Sequence, residues 1–143
     1  MDKKIEKLFV AVKAFIVREG KVLILEEAQD KDTGTNPGKF DFSGGKMERG
    51  EKPEDSLIRE VKEETRFEIE IIKPFHVTEW QPVVHGEQWQ IIGIYYECRL
   101  KDDTSEVKLS HEHDSFKWIE IEDYLNHNLM DQPRSAFEKY LER

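Results

Sequence analysis

Residues Gly45–Phe67 read GKMERGEKPEDSLIREVKEETRF, and the rest of the chain is understood outward from them. Pro53 suits a first helical turn, where its missing N–H would have no partner anyway. A helix is therefore expected from Pro53 to about Thr65, with Leu57, Ile58, Val61 and Thr65 on one face. Glu60, Glu63 and Glu64 stand at i, i+3 and i+4, within an arc of roughly 100° on that helix. Glu64 borders the apolar stripe and should be partly buried. Like charges so spaced cost a few tenths of a kcal/mol per pair, and more once desolvated. Arg59 and Lys62 relieve part of this, but Glu48, Glu51, Glu54 and Asp55 lie just upstream. A bound cation would resolve the conflict. Ligands that are all oxygen suit a hard ion, Mg²⁺ or Mn²⁺, which can bridge phosphate oxygens and activate a water. For a Glu-rich helix taken alone, a solvated charged face is the competing reading.

Before this stretch, Leu8–Val17 is rich in Val, Ile and Phe and reads as a strand buried on both faces, with Lys13 its one polar interior position. Glu19-Gly20 turns the chain into a partner strand, Lys21–Leu25. Asp30–Lys39 holds Gly34, Asn36, Pro37 and Gly38 and reads as a loop. Phe40–Phe42 is a short strand ending at Gly44-Gly45. After the helix, Phe67, Ile69 and Ile71 alternate with Glu68 and Glu70 in a strand running toward Trp80. His85-Gly86 marks a hairpin, and Gln88–Leu100 a long strand. Phe116–Ile119 is a short strand, followed by helices at Glu122–Leu129 and beyond Pro133, the latter with Phe137, Tyr140 and Leu141 on one side. With no repeat and no dividing linker, residues 1–143 are expected to form a single domain.

The net charge is −9, with 31 acidic against 22 basic residues. That balance argues against a nucleic-acid partner, whose recognition needs clustered Lys and Arg, and against an anionic membrane surface. It leaves room for a phosphorylated small molecule, because a bound dication reverses the local field. Cys98 is the only cysteine, so no internal disulfide points to an oxidising compartment. Lys3, Lys4 and Lys7 precede Leu8–Val12, but Lys13 interrupts that run, so a core strand is expected there and not a secretion signal. The expected location is cytoplasmic. The sequence does not choose between a monomer and a homodimer.

Gly45, Glu51 and the run Arg59-Glu60-Val61-Lys62-Glu63-Glu64-Thr65-Arg66-Phe67 closely resemble the Nudix box, G-x5-E-x7-R-E-U-x-E-E-x-G-U, where U is a bulky apolar residue. Eight of its nine specified positions match. The resemblance implies an α+β fold, an α/β/α sandwich around a mixed β-sheet. It also implies a hydrolase that cleaves a phosphoanhydride of a nucleoside diphosphate linked to another group. Glu60, Glu63 and Glu64 would be the metal ligands, with the backbone of Gly45 close to the ion. Glu60 would also orient or deprotonate the attacking water. Arg59, counted with the catalytic group, would form an ion pair with the structural Glu51. Two positions depart from the pattern. Arg66 replaces the box glycine, where an arginine in a left-handed turn costs about 1–2 kcal/mol. Ser43 stands where a proline often precedes the two glycines, and a small effect on loop stiffness is expected.

Family members often carry an acidic residue in a loop near the metals, which makes Glu112 a further ligand or base, against a solvated loop glutamate. His111 and His113 suggest zinc, but no cysteine or third spaced ligand supports it. Lys13 either faces substrate phosphates or reaches solvent from a strand edge. Trp80 and Trp89 either stack on a base or fill core. Pro82, fifteen residues beyond Phe67, points weakly to ADP-ribose, while the short chain points weakly to nucleoside triphosphates. The preferred expectation is a Mg²⁺-dependent (d)NTP pyrophosphohydrolase. The alternatives are an ADP-ribose or nucleotide-sugar pyrophosphatase and, outside the enzymes, a nucleotide-binding module without catalysis. An acidic calcium-binding protein is disfavoured, because no EF-hand loop is present.

Overall fold

The computed structural model describes residues 4–28 and 38–142. Most of the loop expected at Asp30–Lys39 lies outside them. The elements are β1 (Lys7–Arg18), β2 (Lys21–Glu27), β3 (Phe40–Asp41), β4 (Ser43–Lys46), α1 (Pro53–Thr65), β5 (Ile69–Trp80), β6 (Val83–Val84), β7 (Glu87–Leu100), β8 (His113–Glu120) and α2 (Asp131–Leu141).

β1 organises the sheet. Along most of its length it runs parallel to β7, from Lys7 opposite Trp89 to Ile16 opposite Cys98. On its other side it pairs antiparallel first with β4, through Ala11–Ala14, and then with β2, through Val17 and Arg18. β5 borders β7, while β8 and β3 border β2, all antiparallel. The sheet is therefore mixed, as expected. Two hairpin turns have both central residues at positive φ, Glu19-Gly20 and His85-Gly86, the backbone twist that matches paired strands.

Alternation along β1 and β2 divides the core. Val12, Ala14, Ile16, Leu23 and Leu25 pack with Leu57 and Val61 of α1. Phe15, Val22 and Ile24 pack with Phe42, Tyr95 and the α2 residues Ala136 and Phe137. One helix thus covers each face, and the α/β/α sandwich stands.

Five expectations need correction. Leu8 is 63% exposed, so β1 is buried on both faces only in its central and later part. The strand expected at Phe40–Phe42 is two, because Phe42 turns into the α2-side core between β3, which pairs with β2, and β4, which pairs with β1. The helix expected at Glu122–Leu129 is a 3₁₀ segment, Ile121–Asn126. It stops because His127 is extended and residues 128–130 run beside Phe40, whose N–H and C=O bond to Asn128 and Met130. The last helix begins two residues before Pro133, within the first turn that tolerates proline. β8 also starts three residues earlier than the strand read at Phe116.

Candidate active site

The carboxylate helix is held at its start by charge and at its end by a loop. Pro53 opens α1, and Glu54 and Asp55 in its first turn complement the helix dipole. Arg59 makes a bidentate pair with Glu51, Nε–Oε2 2.7 Å and Nη2–Oε1 2.9 Å. Glu51 also accepts the Glu48 N–H at 2.8 Å. The Arg59 bond, then that backbone bond, hold the Glu51 carboxyl down at about 2. The expected tie between helix and preceding loop is present. At the far end, the carbonyls of Glu64 and Thr65 accept the N–H groups of Ser110 and Lys108. These bonds satisfy terminal carbonyls of the helix and bring residues 108–112 alongside the acidic face.

Glu60 lies against Gly45. A Cβ at Gly45 would come within 2.8 Å of the Glu60 carboxyl, so a larger residue there would displace the end of that side chain. Gly44 has φ +148°, and a Cβ there would fall 2.0 Å from the carbonyl oxygen of Val12. Its missing side chain is what lets β4 close on β1. Burial raises the pKa of Glu60; Arg59 opposes this, while Glu63 and Glu112 add to it.

Glu64 is buried at 5% exposure and accepts Ser43 Oγ at 2.7 Å and the Gly44 N–H at 2.8 Å. Burial pushes its carboxyl up to about 7, although Lys13, Ser43 and Gly44 pull the other way. Lys13 Nζ stands 3.0 Å from Asp41 Oδ2, with both side chains nearly out of solvent. Burial alone would lower Lys13, but Asp41 and then Glu64 outweigh it and hold the ammonium above its usual range.

The sequence-derived trio is not gathered round one point. Arg59 Nη1 lies 3.2 Å from Glu60 and 3.3 Å from Glu63, and Glu63 remains largely exposed. Among the described residues, the acidic and imidazole donors that converge within 4.8 Å belong to Glu64, Glu112 and His113. A cleft of about 280 Å³ opens beside them, lined by Glu63, Glu64, Arg66, Ser110, His111 and Glu112. Burial makes Glu60 and Glu64 costly to ionise, and oxygen donors so placed suit a divalent cation, so the residues fit a metal of the expected kind.

Asp41, which pairs with Lys13, escaped the sequence reading; Ser43, which caps Glu64, was read only for loop stiffness, and His113, which joins the donor cluster, was set aside with zinc. Burial, then the nearby Lys13 ammonium, lower His113 to about 4, leaving its ring neutral. No spacing rule would have found Ser43 or Asp41, because each meets its partner across elements far apart in sequence, β4 against α1 and β3 against β1.

Trp80 and Trp89 are half-buried on the same face of the sheet as Lys13, Phe9 and Gly93, by the pairings of β1, β7 and β5. Trp89 meets Phe9 edge-on at 4.9 Å, and Lys46 Nζ lies 4.4 Å and 4.6 Å from these two rings. A Cβ on Gly93 would touch Trp80 at 2.9 Å, so glycine lets that indole lie close over β7. Arg66 adopts φ 68°, ψ 5°, the left-handed turn that the box glycine would take, and its N–H bonds to the Lys62 carbonyl.

A family model described as the NUDIX domain matches residues 7–140. The nucleoside triphosphatase NudI of Escherichia coli O17:K52:H18 (strain UMN026 / ExPEC) is 28% identical over 122 residues, covering 80% of this chain and 83% of NudI. The solved MutT protein from Methanosarcina mazei Go1 superposes with TM-score 0.81 at 28% identity over 96% of each chain. A MutT NUDIX hydrolase from Burkholderia pseudomallei gives 0.76 at 24%, covering 94% of this chain and 98% of its own, and speaks to the fold alone. No helix among the described residues is long and apolar enough to cross a membrane.

Proposed function

The chain belongs to the Nudix hydrolase family, and on that footing we propose that it is a divalent-metal-dependent pyrophosphohydrolase of (deoxy)nucleoside triphosphates. The observation that carries the reading is the acidic face of α1. Glu60 lies against Gly45, and Glu64 is buried beside Ser43 with Glu112 brought up by the 108–112 loop. The resemblance to NudI, a nucleoside triphosphatase, supports the substrate class.

Hydrolysis joins a water oxygen to phosphorus and breaks a bridging P–O bond, and the departing phosphate keeps the bridging oxygen. Glu60, Glu63, Glu64 and Glu112 would hold one or more Mg²⁺ or Mn²⁺ ions between them, which would neutralise charge on the phosphate oxygens and acidify a water. Glu60 is the proton acceptor for that water, a role favoured by a carboxyl whose basicity burial has raised. Arg59 fixes the angle of the helix through Glu51. Lys13 lowers the cost of ionising Glu64. Trp80 and Trp89 offer ring surface for a nucleobase on the face that also carries Lys46. Residues 1–143 act as one domain in this reading.

The ADP-ribose alternative rested on Pro82. Its carbonyl accepts the Trp89 N–H at 2.9 Å beside the β6–β7 hairpin. The complete acidic set also weighs against a binding module without turnover.

The test is hydrolysis of a panel of dNTPs, an oxidised dGTP, ADP-ribose, nucleotide sugars and dinucleoside polyphosphates. It is run with Mg²⁺ and with Mn²⁺, beside Glu63→Gln. Triphosphate turnover that falls by two orders of magnitude or more in the variant supports the reading. Nucleotide binding without turnover in the wild type overturns it.

A further inference from the structure

We propose that His113 supplies a nitrogen ligand to the cation site it forms with Glu64 and Glu112, and so shifts that site from Mg²⁺ toward transition-metal dications such as Mn²⁺. The inference rests on the reading that these carboxylates hold a divalent ion, and it adds a residue that the box pattern does not contain.

The backbone gives the first reason. β8 pairs in simple register with β2 from Glu120 to Ser115, and then slips so that His113 lies opposite Glu27. The extra residue, Asp114, forms a bulge, a device that re-aims the side chain beside it. Strict alternation would set His113 on the face opposite Phe116 and Trp118. The slip turns it instead to the side of Phe116 and Leu25, where α1 packs, and its ring meets Glu64 there.

The second reason is an imidazole with unmet capacity. His113 Nδ1 is shielded from solvent and has no hydrogen-bond partner among the described residues. Buried polar atoms are seldom left so, and an imidazole with an unmade bond has capacity for a ligand. Glu64 makes the complementary offer. Ser43 and Gly44 both donate to its Oε1 and neither to Oε2. Glu112 is steadied by its own carbonyl, which accepts the Ala28 N–H at 3.1 Å. Two carboxylates and one imidazole within 4.8 Å make a mixed oxygen–nitrogen set. Mg²⁺ prefers oxygen and retained water, whereas imidazole suits transition metals.

The experiment loads the metal-free, full-length protein with Mn²⁺ alone and records pulsed EPR for coupling to ligand nitrogen. Calorimetric titrations with Mn²⁺ and with Mg²⁺ run beside it, on the wild type, His113→Gln and His111→Gln. The expected result is ¹⁴N coupling in the wild type and in His111→Gln, replaced by a ¹⁵N pattern when histidine is ¹⁵N-labelled. Labelling tests the ligand even if His113→Gln fails to fold. In that variant, Mn²⁺ affinity falls roughly tenfold or more, and Mg²⁺ affinity by much less. Mn²⁺ binding without nitrogen coupling, or equal losses for both ions, overturns the role of His113 and leaves the hydrolase reading intact. Absence of any ion binding in the wild type overturns both.

Discussion

Lys13 Nζ, on β1, lies 3.0 Å from Asp41 Oδ2, on β3, with side-chain exposures of 14% and 13%. A pair this dry depends on both members, because removing one strands the other's charge. Asp41→Asn is therefore expected to cost about 3–5 kcal/mol, less whatever Glu64 restores by drawing on Lys13. The double variant Lys13→Met, Asp41→Leu should cost less than either single change. Urea unfolding of the three proteins measures this, and additive losses would refute the coupling.

Glu64 sets a pH dependence of opposite sign to that of an ordinary salt-bridged acid. Its carboxyl is raised from 4.5 to about 7, first by burial. Between those values the unfolded chain has released a proton that the folded chain still holds, so stability falls as pH rises and levels off above about 7. The full loss is on the order of 3 kcal/mol. With chelator present, the urea midpoint should drop from pH 4.5 to pH 7.5 in the wild type, and Glu64→Gln should remove most of that slope. Adding Mn²⁺ at pH 7.5 should restore stability in the wild type, because the ion binds only the folded state. A slope unchanged by Glu64→Gln would place its origin elsewhere.

Helix α1 was legible because period and punctuation agreed: Pro53 at its start, Leu57 and Val61 on one stripe, Glu64 on the border. That border position gave its burial too. The partners of these groups were hidden for a different reason. Ser43, read only as a change in loop stiffness, reaches Glu64 from β4, and Asp41 reaches Lys13 from β3, across elements far apart in sequence. Lys13 had been weighed between phosphate and solvent; its largely buried pairing with Asp41 disposes of solvent. His113 was set aside together with zinc because alternation carries no sign of the bulge at Asp114 that brings its ring near Glu64. The 3₁₀ segment after β8 failed for a similar reason. Its apolar spacing looked helical, but the backbone of residues 128–130 is taken up by Phe40.

Gly44 should be among the least replaceable residues of the chain. Its φ of +148° and the 2.0 Å approach of a Cβ to Val12 O combine backbone strain with a collision against a strand carbonyl that cannot move alone. Gly44→Ala is expected to lose about 3 kcal/mol or more. Gly86, at φ +81° with nothing within 4 Å of a Cβ, is the control, and Gly86→Ala should lose only about 1 kcal/mol. Thermal melts followed by circular dichroism separate the two. Equal losses would mean that the contact with Val12 relaxes freely.

Arg66 occupies a left-handed turn at φ 68° with its N–H bonded to the Lys62 carbonyl at 2.9 Å, a bond that any residue can make. The conformation costs a residue with a Cβ about 1–2 kcal/mol, while glycine gives back part of that through greater freedom in the unfolded chain. Arg66→Gly should therefore raise stability by about 0.5–1 kcal/mol, and Arg66→Ala, which keeps the strain, should not. Because Arg66 also lines the cleft beside Glu63, Glu64 and Glu112, kcat/KM is measured alongside the urea midpoint. A gain in stability with glycine and a loss of kcat/KM with both variants would mean that the strained arginine is retained for what its side chain does in the cleft. A loss of stability with glycine would show instead that contacts of the Arg66 side chain outweigh the strain of its backbone.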